Sequence, residues 1–478
     1  MFILGNMSNI ASMNTHIIKL LFLLSALSTA FDSAFAKNIN PREFGAVVDG
    51  KTNDAPAIQK AIDAVNAGGG GTVTLDSGVW LSGTIYLKSN VTLNIEKGAT
   101  LKGSPNPSDY NKDDFCKQQK IISDENVSNA HLIIALEVEN IELCGGGTID
   151  GNGSAFWNTV PENASVPENG SFKFPKWRPS QMIFVCESGN VRMRNLSLVN
   201  PPYWSDIFLG CRDVIISNMV IRNDHRGHNN DGLDIDACSN VCISDCIIDT
   251  EDDCIAIRCQ GEKLQKKESV CENITISNCI LSTRRCNAFR IGVGRGIIKN
   301  CAITNVIVNN TRTGICMLNT YKRRNGVAIE NIRFSNSVFN CQNPVAIYTD
   351  NTSWGKGEGN SHVKDISFSN CFFKGNRTNV IGGDKNINVS NIRFSDCDFV
   401  TEGGEHITGT DNFTRLTEWG IKAVPHAFVV ANARNVVFKN CQMRWENISR
   451  QWQKAVVFSG CENSSADESN IFPDCPKK

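Results

Sequence analysis

Nine segments between residues 190 and 443 share one pattern: alternating apolar residues, an Asn or Asp, then a small or apolar residue. In register they read NVRMRNLSL (190), DVIISNMVI (213), NVCISDCII (240), NITISNCIL (273), GIIKNCAIT (296), NIRFSNSVF (331), DISFSNCFF (365), NIRFSDCDF (391) and NVVFKNCQM (435). Alternation with period two marks a strand with one buried face, and an Asn or Asp at its end marks a bend. The residues after the bend are Leu196, Met219, Cys246, Cys279, Cys301, Ser337, Cys371, Cys397 and Cys441, spaced 22 to 44 apart. Short strands with a period in the twenties cannot bury their apolar faces alone, but they can by stacking coil on coil. The pattern predicts an all-β fold, a single-stranded right-handed parallel β-helix, with the residue after each bend pointing inward.

Such a solenoid needs its open end covered. In TNDAPAIQKAIDAVNAGGGG, Asp54 suits a helix N-cap, Pro56 its first turn, and Ile58, Ala61, Ile62 and Val65 one apolar face, with Gly68 to Gly71 ending it. That predicts an N-terminal capping helix. No linker composition follows until the polar run ENSSADESN, so residues 37–461 are expected to form one β-helix domain and 462–478 a polar tail. At the start, Lys19 precedes LLFLLSALSTAF and then Ala34-Phe35-Ala36. That order of basic, apolar and small-x-small residues predicts a signal peptide over residues 1–36 and a secreted or periplasmic protein. No run reaches ~18 apolar residues, so no membrane span is expected.

The formal net charge of −1 and a single short basic run, YKRR (321–324), exclude the basic footprint of a nucleic-acid partner. Twenty cysteines in an exported chain ordinarily suggest disulfides. Here many occupy post-bend positions, where a thiol serves as a compact hydrophobe, so a core role is expected. Cys238, Cys242 and Cys246 have a spacing that matches no paired Cys-x2-Cys zinc site, and no metal or other cofactor is expected.

The stretch DTEDDCIAIR (249–258) sets four acids against an apolar strand. Asp252 lies 21 residues after Asp231 of NNDGLDID, close to the shortest coil lengths. One coil returns the chain to the same azimuth about 4.8 Å further along, which puts both carboxylates on one face. Like charges that close raise the pKa of at least one, so a proton donor and a charged partner can coexist. Asp253 joins them only if the backbone bends at TEDDC, since strand neighbours point to opposite faces. Asp234, Asp236, Asp249 and Glu251 read as turn or surface residues. Such a cluster suits glycoside hydrolysis, in which one carboxyl protonates the leaving oxygen and another activates water. Solvated turn acids are the competing explanation of the spacing.

The chain resembles glycoside hydrolase family 28, the polygalacturonase-like enzymes, from about Phe44 to Cys441. FGAVVDG with the helix after it looks like that family's N-terminal cap. GGGTIDGNGSAFW (145–157) resembles its Gly-Ile-Asp-Gly-x-Gly…Trp element, and LVNPPYW (198–204) its Asn-Ser-Pro-x-Trp element. NNDGLDID is similar to its Asn-x-Asp motif, and DTEDDC to its Asp-Thr-Gly-Asp-Asp-Cys motif with Glu251 in the glycine's place. The resemblance implies an inverting hydrolase without cofactor, with Asp252 as general acid and Asp231 and Asp253 holding and activating the water. Two motifs depart from the family. CNAFRIGV puts Asn287 where its Gly-His-Gly histidine falls, and TGICMLNT puts Cys316-Met317-Leu318 where Arg-Ile-Lys falls. The lost residues grip a galacturonate carboxylate, which implies a shifted substrate. Asn229, Arg258, Asn287 and Arg290 are the candidate substrate-binding residues, with Lys322–Arg324 as a further source of cations and His225 and His228 as subsite candidates. GVGRG (292–296) reads as a glycine turn between strands, since no helix pattern follows.

The partner implied is a pectin-type polysaccharide or oligosaccharide, met by a monomer. A β-helical polysaccharide lyase using calcium and a base, and a glycan-binding scaffold without catalysis, are the alternatives. The three matched aspartates favour hydrolysis, because a pure binder has no use for their mutual repulsion.

Overall fold

The computed structural model describes residues 37–112, 118, 128–157, 177–261, 264–265, 269–319, 326–349, 361–383, 388–403, 426–449 and 452–476. The expected signal peptide and the YKRR run lie outside the described residues. Every pairing between extended strands is parallel, and the strands fall into three ladders that run the length of a right-handed β-helix. One coil runs through Arg212–Ser217 in the first ladder, Val220–Arg222 in the second and Leu233–Asp236 in the third. The next coil repeats them as Ser239–Ser244, Ile247–Thr250 and Ile255–Gln260.

The bend residues supply the corners. Asn195, Asn218, Asp245, Asn278 and Asn305 all take left-handed backbone, φ between 54 and 58°, a conformation Asn and Asp tolerate better than other residues with side chains. Their amides also stack: Asn278 donates to Asp245 at 3.1 Å and Asn305 to Asn278 at 3.3 Å. A second asparagine ladder marks the start of the same strands, with Asn240 on Asp213 at 3.0 Å, Asn273 on Asn240 at 3.1 Å and Asn300 on Asn273 at 3.3 Å.

That second ladder corrects one register. Cys301 pairs with Ile274 and Ile332 inside the first ladder, so Asn300 lies within the first-ladder part of its strand rather than closing it. The true bend is Asn305, and Val306 is the residue that follows it. Leu196, Met219, Cys246, Cys279, Ser337, Cys371, Cys397 and Cys441 do follow bends, and all are buried. The described cysteines are free thiols; Cys242 is exposed while Cys238 and Cys246 are buried, as alternation along a strand requires. Further along, phenylalanines stack rung on rung: Phe334, Phe368, Phe394 and Phe438 are separated by 5.3, 4.5 and 4.8 Å.

The capping helix spans Ala55–Ala67, and Ile58, Ala61, Ile62 and Val65 are wholly buried against the first coils. Asp54 occupies its N-cap position without capping it. The carboxylate instead accepts from Val47 N at 2.7 Å and Val48 N at 3.1 Å, tying the preceding segment across the end. The glycine stretch GVGRG turns a corner inside one unbroken strand, Asn287–Thr304. A Cβ on Gly294 would lie 2.0 Å from Cys259 O, so only glycine lets those coils approach. After Cys461 the polar segment still pairs with the stack, Ser465–Ala466 against Val437–Phe438, with a bridge from Ile471 to Gln442.

Candidate active site

The corner between the second and third ladders is where successive coils differ most. It is the ten-residue segment 223–232 in one coil, 251–254 in the next and 284–286 in the third. Asn229, Asp231, Asp252 and Asp253 fall in it, and Arg258, Asn287 and Arg290 stand on the third-ladder strands that follow. Asn230, fully buried, locks two coils together by accepting from Glu251 N at 2.8 Å and donating to Asp224 O at 2.6 Å. Gly232 N donates to Asp253 O at 2.8 Å, which sets Asp231 one coil from Asp252 and Asp253. A Cβ on Gly232 would fall 2.4 Å from Cys254 O, so this approach requires glycine.

The backbone leaves strand geometry between Thr250 and Ile255, the bend that Asp253 needed. Thr250 Oγ1 and Thr283 Oγ1 each donate to Asp252 O at 2.6 Å and hold that bend. Asp252 is half-buried, whereas Asp231 and Asp253 are buried. Asp253 Oδ1 accepts from Asn287 N at 3.1 Å and from Asn287 Nδ2 at 2.6 Å. Asp231 Oδ2 accepts from Arg258 Nη2 at 3.0 Å, and its Oδ1 is buried with no hydrogen-bond partner.

Burial dominates the electrostatics of this corner. It pushes the Asp253 carboxyl up to about 6, with the Asp252 charge adding and Arg290, Arg258 and Asn287 opposing. Asp231 is driven well above the usual carboxylate range by burial and then by Asp252, Asp234 and Asp253, against Arg258. Glu251, buried beside Asp252, rises to about 8 despite its contact with Arg285. A site that shares fewer negative charges than carboxyls is the physical result.

Asp234 and Asp236, expected at turns or the surface, are fully buried on the third ladder, and Glu251 is buried as well. Arg258 Nε lies 2.6 Å from Asp234 Oδ1 as an ion pair without the alignment of a hydrogen bond. Its guanidinium also lies 4.3 Å from the Trp204 ring centroid. Asp236 accepts from Gln260 N at 2.6 Å and Gln260 Nε2 at 3.0 Å. Asp206, one coil earlier, accepts from Asp234 N at 3.2 Å, and burial raises its carboxyl strongly. Asp249 remains half-buried and binds His225 at 3.1 Å and Ser282 Oγ at 2.7 Å.

Of the other expected site residues, Asn229 Oδ1 accepts from Arg178 Nη2 at 3.1 Å, and Arg178 also binds His228 O at 2.7 Å. Arg178 is buried over Tyr203 at 4.6 Å, so the NPPYW element braces two arginines, one under each end of NNDGLDID. Arg290 is buried and donates to Cys316 Sγ at 3.2 Å. Met317 points into the core, while Cys316 and Leu318 join Ala346, Tyr348, Val380, Val429 and Ala431 in a separate apolar cluster. The residues that align with the family's Arg-Ile-Lys are therefore uncharged, and a cation reaches that face from the preceding coil as Arg290.

Sequence reasoning missed Arg178, Arg285 and Cys286. Cys286 Sγ and carboxylate oxygens of Asp252 and Asp253 lie within 4.8 Å of one another, the one trio among the described residues close enough to share an ion. Burial and the neighbouring acids push that thiol up, so it stays protonated. A signal for the burial of Asp236 was present: it lies 22 residues before the candidate Arg258 and pairs with it in register across adjacent coils.

The family model for glycosyl hydrolases family 28 matches residues 73–429. An exo-poly-alpha-D-galacturonosidase of Dickeya chrysanthemi is 29% identical over 320 residues, covering 59% of this chain and 52% of that protein. An endo-polygalacturonase of Pectobacterium carotovorum is 28% identical over 368 residues, covering 73% and 84%. The chain spans about half the length of the first of these, 52%. In three dimensions a Yersinia enterocolitica family 28 exopolygalacturonase shares the fold, with a TM-score of 0.68 at 19% identity over 90% of this chain and 78% of that one. The match over residues 73–429 contains the whole corner of acids, and by it the chain belongs to family 28 of the glycosyl hydrolases.

Proposed function

We propose that the protein is a secreted or periplasmic inverting glycoside hydrolase that cleaves galacturonate-containing, pectin-type glycans. The observation that carries this reading is the convergence of Asp231, Asp252 and Asp253 on one corner, set by the bond from Gly232 N to Asp253 O. Asp252, the more exposed carboxyl, gives its proton to the leaving oxygen. Asp253, fixed by Asn287 and ionised above about pH 6, takes a proton from the attacking water, and Asp231 helps to hold that water. Attack from the face opposite the leaving group inverts the anomeric carbon. Support for a pectic substrate comes from the relatives, and support for export from the order of residues 19–36. Recognition of the sugar differs from that of a typical polygalacturonase, because Asn287 is tied to Asp253 and Cys316, Met317 and Leu318 bring no charge of their own.

The test is incubation with pectic backbones and oligosaccharides. New reducing ends without the ultraviolet absorbance of an unsaturated sugar are expected. Absorbance from a double bond would favour a lyase, and no cleavage of any pectic glycan would sink the reading.

A further inference from the structure

Seven successive coils pass the corner of the acids at one equivalent position, and backbone bonds hold that position in register. Met182 N donates to Trp204 O at 2.9 Å, Ser205 N to Asp231 O at 2.9 Å, Gly232 N to Asp253 O at 2.8 Å and Cys254 N to Asn287 O at 2.9 Å. Asn287 then pairs with Thr313, and Thr313 with Asn343. The column therefore runs from Gln181, which precedes Met182, through the acids to Asn343. Residues directly after its members, Met182, Cys254 and Ala288, are wholly buried in the core, so by alternation the column faces away from it. Three of its side chains keep a buried polar atom without a hydrogen-bond partner among the described residues: Gln181 Nε2, Asp231 Oδ1 and Asn343 Oδ1.

A buried polar atom left unpaired is unfavourable, and a ligand that pairs it recovers the loss. Asp231, assigned above to the attacking water, is one of the three. Gln181 and Asn343 are 2 and 5% exposed, as deeply set as Asp231 and Asp253 at 2 and 6%. Their unpaired atoms differ in kind, since Nε2 needs an acceptor and Oδ1 a donor. A sugar hydroxyl is both, whereas an ionised carboxylate has no hydrogen to give. With coils about 4.8 Å apart, Gln181 stands about 10 Å before Asp231 and Asn343 about 14 Å beyond Asp253. We propose that Gln181 and Asn343 are specificity-determining residues that hold sugar units on opposite sides of the scissile bond through their hydroxyl groups. The inference rests on the hydrolase reading above and names its substrate as an oligosaccharide of several units laid along the column. Neither residue lies in a motif that carries the family resemblance.

The experiment measures binding of di- and hexagalacturonate by calorimetry in an Asp252→Asn background, where turnover does not consume the ligand, and hydrolysis of both by the wild type. The hexamer is expected to bind about tenfold or more tighter, since only it reaches both residues. Gln181→Met and Asn343→Leu should each weaken hexamer binding about five- to tenfold, the scale of one hydrogen bond, and leave the dimer unchanged. The Asn343→Leu loss should be the same for the methyl-esterified hexamer, because a hydroxyl rather than the carboxylate meets Oδ1. Both variants should melt no lower than their parent, since an apolar group replaces an unpaired buried polar one. A hexamer that binds no tighter than the dimer overturns the inference, as does unchanged hexamer affinity in either variant. A variant that melts lower or fails to fold overturns it too, because a side chain held for the ligand is not what holds the corner together. Hexamer binding that depends on both residues, without hydrolysis by the wild type, supports the inference and strikes only the hydrolase reading.

Discussion

Asp253 is the residue on which stability and activity pull apart. Burial and Asp252 hold its carboxyl at about 6, above the ~3.9 of an unfolded chain. Its ionisation therefore costs folding free energy at neutral pH. Asp253→Asn should stabilise the protein at pH 7.5, by about 1–3 kcal/mol in urea unfolding, while lowering kcat by about 10²–10⁴. Asn287 works in the opposite direction, since its two donors stabilise the charged form. Asn287→Ala should move the acid limb of the kcat/KM profile to higher pH, because the base then holds its proton longer. An acid limb that stays in place would remove Asp253 from the role of base.

At the scale of single elements, the corners do the organising. Asn278 combines left-handed backbone at φ 56° with an amide bond to Asp245. Asn278→Ala loses both and should cost about 1–3 kcal/mol, whereas Asn278→Gly should recover the backbone part. The strand alternation and the bends were legible in sequence because both are local, set by one residue's neighbours on the pleat. The register at Cys301 was not. Asn300 and Asn305 both obey the bend rule, and only pairing with Ile274 distinguishes them. Asp234 and Asp236 were misplaced for a related reason: buried acids depend on partners 24 residues away, Arg258 and Gln260, which composition does not reveal. The motif acids were found because one coil length, 21 residues, separates Asp231 from Asp252.

For the molecule as a whole, raised carboxyls concentrate at one corner and on the third-ladder strands beside it: Asp253 at about 6, Asp234 and Glu251 at about 8, and Asp231 and Asp206 well above the usual carboxylate range. Each binds its proton more tightly folded than unfolded, so each contributes stability that is complete below about pH 4 and lost as pH rises through its folded value. Urea midpoints should fall from pH 5 to pH 8.5, and a flat or rising profile would show that these acids are ionised in the folded state. The described thiols are free, so reductant should leave the thermal midpoint unchanged.

The catalysis proposed is hydrolysis with inversion by the acids of two neighbouring coils, Asp231 on one and Asp252 and Asp253 on the next. Proton NMR of the first product released from a pectic oligosaccharide reads it directly. The inverted anomer should appear first and then mutarotate, with Asp252→Asn releasing none at a comparable rate. A retained anomer, an unsaturated product, or undiminished release by Asp252→Asn would contradict it.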